Sequence, residues 1–253
     1  MIPNPIIKVL STLSSHAVQH LLMGGQACVF YGAAEFSRAC DIVIVADHDN
    51  LLRLKAALEE LQAECIAVPP FEPQYLERGH AVHFRCHSQD AMGMRLDVMT
   101  RMRGCDEFAV LWDRRMTLQD GDGTIYQLLG IEDLVTAKKT QQDKDWPMVR
   151  RLVDAHYEEY RDSPNEDQIR FWLKESRTPE VLIRLVADYP VLFREILAHR
   201  PLLCEALSAS RSAIQQELTR EEFAERKADE AYWYPLKLEL EQLRFKRRRN
   251  DHR

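Results

Sequence analysis

Apolar residues recur at helical spacing over positions 5–22 (Ile6, Ile7, Val9, Leu10, Leu13, Ala17, Val18, Leu21, Leu22), a pattern that predicts a helix passing into a strand just before Gly24. Residues 26–35 are alanine-rich and proline-free, which predicts a short helix opening at the Gly24-Gly25 pair. Positions 41–46 (DIVIVA) are β-branched and apolar on both faces, as in a central strand. Residues 47–50 carry turn and N-cap chemistry, and 51–61 (LLRLKAALEEL) form an amphipathic helical pattern. Strands are predicted at 64–68, stopped by Pro69-Pro70, and at 80–86 and 93–99, joined by the polar loop 87–90. A short apolar segment occupies 108–112, and DGDG at 120–123 separates 116–118 from 124–129 as a hairpin signal.

From Ile131 onward the period is helical, with turns near 162–165 and 177–179 and further punctuation at Pro190, Pro201 and Pro235. The residues 131–152 read as helix, short break, helix, so the two halves are expected to pack together. The pattern therefore gives an α/β or α+β half of about 130–145 residues followed by an all-helical half.

Composition changes this picture little. The 253 residues are 45% hydrophobic and 29% charged, ordinary values for a globular protein with enough interior for a stable core. No stretch is apolar enough to span a bilayer, and no signal peptide is evident. The six cysteines lack CxxC spacing, so buried reduced thiols and a cytoplasmic location are expected. A net charge of −6 argues against a general nucleic-acid-coating protein. The ending RFKRRRNDHR is a basic tail, expected to be solvated and frayed, with a contact to RNA as the alternative.

The chemistry concentrates in residues 21–45 and 95–99. A glycine pair ahead of a helix lets backbone approach a phosphate and points free N–H groups at it. Asp41 opens the apolar strand that follows, and Asp97 sits in the comparable run MRLDVM. Carboxylates on rigid strands suit a divalent cation carrying a triphosphate. Taken singly, each aspartate reads as well as a surface ion pair, Asp41 with Arg38 and Asp97 with Arg95 or Arg101.

GGQA, SRACDIVIV, RLDVM and IEDLVTAKKTQQDKDW together resemble the minimal nucleotidyltransferase superfamily, nearest to AbiEii-type and related toxin–antitoxin nucleotidyltransferases, over residues 15–155. The resemblance implies an α+β fold, a nucleotidyltransferase-like mixed β-sheet flanked by helices over residues 1–145, followed by an all-helical C-terminal region over 146–253. It places phosphate at Gly24 and Gly25, and a Mg²⁺ ion on Asp41 and Asp97. It gives Arg38 the role of the basic residue ahead of the first aspartate, and Lys138 or Lys139 and Lys144 that of cations on the helix after the core. The implied activity is Mg²⁺-dependent transfer of a nucleoside monophosphate from an NTP substrate to a hydroxyl of a protein, an RNA or a small molecule. The family pattern has a second carboxylate two residues after the first, where this chain has Val43. The alternative is accordingly a catalytically degenerate binding or regulatory protein of a toxin–antitoxin system. Asp47, Asp49 and Glu35 are the nearby acids that could substitute.

His80, His83 and His87 have metal-face spacing only on a helix; on a strand they read as ordinary polar residues. Trp146 and Trp172 read as packing residues of the helical half. The adjacent aromatics Tyr232, Trp233 and Tyr234 cannot share one helix face, which favours a subunit contact and a homo-oligomer.

Overall fold

The computed structural model describes residues 4–35, 37–119, 121 and 123–251. Two compact units result, one from the described residues of Met1–Phe30, Ala34–Ala137 and Tyr232–Arg253, the other from Tyr31–Ala33 and Lys138–Ala231.

The first unit opens with helix α1 (Asn4–Ser15) and strand β1 (His20–Met23), as the apolar spacing predicts. Helix α2 (Gly24–Phe30) starts on the glycine pair and ends five residues earlier than expected, because Gly32 turns the chain at φ +71. Strand β2 (Ala39–Ile44) follows, then helix α3 (His48–Glu60), whose N-cap Asp47 accepts from the Asn50 amide at 2.8 Å. A cap of this kind contributes about 1 kcal/mol. Strand β3 is shorter than expected, Glu64–Cys65, although the Ile66 amide still bonds the His83 carbonyl at 2.9 Å. Helix α4 (Pro73–Glu77), strand β4 (Val82–Arg85), a 3₁₀ turn (Gln89–Ala91) and strand β5 (Arg95–Met99) come next. The apolar segment after them is helix α5 (Phe108–Asp113). Strands β6 (Met116–Gln119) and β7 (Ile125–Leu128) pair antiparallel as the hairpin signal predicts; Asp120 and Asp122 of its turn lie outside the described residues. Helix α6 (Ile131–Ala137) closes this part of the chain.

Among the described residues the strands form one seven-stranded sheet in the order β3-β4-β5-β2-β1-β7-β6. It is mixed: β2 runs parallel to β5 and β1 to β7, and the other neighbours are antiparallel. Strand alternation divides its two faces. Val82, Phe84, Leu96, Val98, Cys40, Ile42 and Ile44 make one face, each at most 3% exposed. The other face carries His83, Asp97 and Asp41 in its middle.

The second unit is helical: α7 (Asp145–Tyr160), α8 (Glu166–Glu175), α9 (Pro179–Asp188), α10 (Pro190–Leu197), α11 (Leu203–Leu207) and the first part of α12 (Arg211–Asp251). Trp172 is fully buried and Trp146 nearly so, the packing role expected of them. Pro190 opens α10, where a missing N–H costs nothing. Pro235 does not stop a helix as its type suggests; it lies inside the 41-residue α12. Contacts of the following turn, where Glu239 takes His80 Nε2 at 2.7 Å and Arg78 Nη2 at 2.9 Å, help offset the lost backbone bond. The basic tail is not frayed either: it continues as helix to Asp251, and His252 and Arg253 lie outside the described residues. Tyr232 and Tyr234 are exposed, and the Tyr232 and Trp233 rings meet edge-on at 5.0 Å. No described helix is long and apolar enough to cross a membrane.

Candidate active site

Strands β2 and β5 pair in parallel with Asp41 directly opposite Asp97. Side chains opposite one another in a ladder share a face, so two acids 56 residues apart in sequence become neighbours across one strand gap. The row continues on both sides. Met23 of β1 faces Asp41, and His83 of β4 faces Asp97. The row therefore reads Met23, Asp41, Asp97, His83.

Gly24 sits at the Asp41 end of this row with φ +67, a conformation that glycine alone adopts freely. An ideal Cβ placed there would lie 2.0 Å from Asp41 Oδ2 and 2.6 Å from its Cγ. The first glycine is thus demanded twice, by its backbone and by the carboxylate pressed against it. Gly25 is less constrained. Its added Cβ would meet Ser37, the hydroxyl oxygen at 2.8 Å and the Cβ at 3.3 Å. The α2 backbone is bare of side chains on its first two residues, beside a carboxylate.

Asp97 is pinned. Its Oδ1 takes His83 Nδ1 at 2.9 Å and Arg95 Nε at 2.8 Å. Burial pushes the Asp97 carboxyl upward, but the hydrogen bonds and positive charge of His83 and Arg95 outweigh it and hold it below its ordinary value. The hydrogen bond to Asp97 in turn raises Arg95. Asp97 is therefore a carboxylate at neutral pH.

The place of the second family carboxylate is apolar. Val43 is fully buried, paired with Leu21 on one side and Met99 on the other. The possible stand-ins do not join the row from that end: Asp47 caps α3 and Asp49 lies in its first turn. Among the described residues no group of three or more His, Cys, Asp or Glu side chains is arranged to hold a metal. Two carboxylates, with phosphate oxygens and water completing the shell, meet the needs of one Mg²⁺ ion. They do not meet those of two bridged ions, which call for a further carboxylate at position 43.

Arg38 is exposed, just ahead of β2. The lysines belong to the second unit. There Lys138 Nζ pairs with Asp145 Oδ1 at 2.9 Å, Lys139 with Glu175 at 2.6 Å, and Lys144 stands exposed before α7. Sequence reasoning treated His83 as an ordinary polar residue. The signal that places it in the row is register: once 80–86 and 93–99 pair antiparallel, His83 falls opposite Asp97. His80 lies before β4, buried against Glu239, and shares no ligand geometry with His83.

No family model matches this chain, and no curated protein does. Among solved structures it is similar to the crystal structure of a candidate nucleotidyltransferase from H. pylori, 17% identical, covering 85% of this chain and 94% of that one, at a TM-score of 0.40. A likeness so slight carries no weight for fold or activity.

Proposed function

We propose that this chain is a nucleotidyltransferase-type protein that binds a nucleoside triphosphate with one Mg²⁺ ion at the Asp41–Asp97 row. In this reading it transfers the nucleoside monophosphate to a hydroxyl acceptor on a protein, an RNA or a small molecule. The observation that carries the reading is the in-register pairing of Asp41 with Asp97 beside a glycine against which the Asp41 carboxylate packs. Asp41 and Asp97 would hold the ion, which supplies charge neutralisation on the phosphates. Arg95 and His83 keep Asp97 ionised and fixed in direction. Gly24 and Gly25 bare backbone for close phosphate approach. Arg38 is the cation assigned to offset phosphate charge, and the division into a 1–145 core and a 146–253 helical region belongs to the same reading.

Isothermal titration with each of the four NTPs plus Mg²⁺ tests it. Wild type is expected to bind at least one, and Asp41→Ala to lose at least tenfold in affinity. Absence of binding by wild type rejects the reading.

The buried Val43 favours a second reading, in which the site binds nucleotide without transferring it, as a regulatory member of a toxin–antitoxin system would. Labelled NTPs then give no incorporation into cell extract with wild type, whereas Val43→Asp gains it. Incorporation by wild type discards this alternative.

A further inference from the structure

The last turns of α12 differ in charge from the rest of the helix. Earlier in it, arginines meet carboxylates: Arg211 takes Glu180 at 3.2 Å, Arg226 takes Glu222 at 2.6 Å, and Arg220 pairs with Glu217. From 244 to 249 the sequence is RFKRRR, five cations and no acid. Among the described residues no carboxylate pairs with any of the five, and Arg249 meets the Phe245 ring at 5.9 Å. The whole chain carries −6 and these six residues +5, so the remainder carries −11.

All six residues are exposed, Phe245 to 63%. A helix lying on a protein body hides one side, and six residues in a row span more than a full turn. This end of α12 therefore stands clear of its surroundings. At about 100° per residue, Arg244, Lys246, Arg247, Arg248 and Arg249 project at about 0°, 200°, 300°, 40° and 140°. Positive charge thus faces outward on every side of the helix.

That arrangement chooses among polyanions. A helix that lies on an anionic bilayer keeps its cations on one face and apolar side chains on the other. Here Phe245 is the one apolar residue of the six. Tyr234 and Leu238 are exposed on the side of Phe245, but the exposed Glu241 stands between Leu238 and Phe245 there, and an anionic surface repels it. A single nucleic-acid strand is held by successive aromatic platforms, and this segment has one aromatic. The major groove of B-form DNA is about 12 Å wide, with phosphates along both walls, and admits a helix of about 10–12 Å bearing cations all round. The major groove of A-form RNA is too deep and narrow for it.

We propose that residues 244–249 of α12 are a docking surface for double-stranded DNA, the helix end seating in the major groove. The acidic remainder of the chain confines the contact to this segment. The proposal is independent of the Asp41–Asp97 site.

The test uses the full chain, wild type and the triple variant Arg247→Gln/Arg248→Gln/Arg249→Gln, titrated into a fluorescein-labelled DNA duplex of mixed sequence and followed by anisotropy. Wild type is expected to bind the duplex, and the variant roughly tenfold or more weakly at the same salt. The slope of log affinity against log salt should become shallower by about 2.7, three cations at about 0.9 each. Glutamine keeps the helix and the three side chains are exposed, so the melting temperature should stay at the wild-type value. Duplex RNA, single-stranded DNA and phosphatidylserine vesicles are each expected to bind wild type more weakly than the DNA duplex does. No binding of the DNA duplex by wild type, equal affinity of wild type and variant, or binding of any of the other three as tight as that of the duplex overturns the proposal.

Discussion

Gly24→Ala is expected to destabilise the chain by about 3 kcal/mol, from a strained backbone and a displaced carboxylate acting together. An alanine at φ +67 costs about 1–2 kcal/mol by itself. The rest comes from the new methyl, which would overlap Asp41 Oδ2 at 2.0 Å and force that carboxylate out of its row. Urea denaturation followed by circular dichroism reads the loss as a lower midpoint at unchanged slope. The double variant Gly24→Ala/Asp41→Ala separates the two causes. Taking away the carboxylate removes the overlap with Oδ2 and Cγ but leaves the Asp41 Cβ at 2.8 Å and the backbone strain, so the double variant should recover part, less than half, of the loss. Gly25→Ala is the matched control. The Ser37 hydroxyl in its way can rotate, so a cost of about 1 kcal/mol is expected. A Gly24→Ala protein as stable as wild type would show that Asp41 does not pack on this turn.

Glu221→Ala should cost about 3–5 kcal/mol, because it strands the buried Arg200 and takes from the buried Arg177 its nearer carboxylate. Glu221 takes Arg200 through both oxygens, at 3.0 and 2.8 Å, and Arg177 Nη1 at 3.1 Å. Arg177 and Arg200 are 8% and 5% exposed, so water cannot replace the lost partner. Arg200 then keeps the Leu173 carbonyl with its charge uncompensated, while Arg177 keeps the Leu218 carbonyl and a longer contact with Glu222 at 3.5 Å. Burial pushes the Glu221 carboxyl upward, but the charges of Arg200 and Arg177 prevail and hold it below 4.5. A carboxylate lowered on folding adds stability above its unfolded value and loses it as pH falls through the lowered folded value. Thermal melts of wild type should therefore fall steeply below about pH 4.5, and Glu221→Gln should show a flatter profile over the same window. Parallel profiles for the two proteins would remove Glu221 from the acid response.

Much of the candidate site was legible in the residues alone. The positions of the strands along the chain followed from β-branched runs bounded by turn chemistry, which put Asp41 and Asp97 each on a strand and Gly24-Gly25 at the end of another; their order in the sheet did not. Register was less legible. Nothing local in 80–86 fixes which residue will stand opposite Asp97, because the loop between the two strands can absorb several lengths, so His83 and its contact with Asp97 stayed hidden. Burial of Gln26 was equally invisible, since a glutamine in an alanine-rich helix reads as surface. Pro235 misled for the opposite reason. Its local preference against helix is strong, and the contacts of Glu239 with residues far away in sequence override it.

Because Asp41 and Asp97 stand on hydrogen-bonded parallel neighbours, the gap between their backbones is the inter-strand repeat of about 4.8 Å. Backbone amides set that gap, and no choice of side chain can widen it. A slip of β5 by a single residue would send Asp97 through the sheet to the face of Leu96 and Val98 and bring one of those aliphatic groups opposite Asp41. The two acids therefore stay together only in one alignment of the ladder, and an insertion or deletion inside β2 or β5 would separate them even in a chain that still folds.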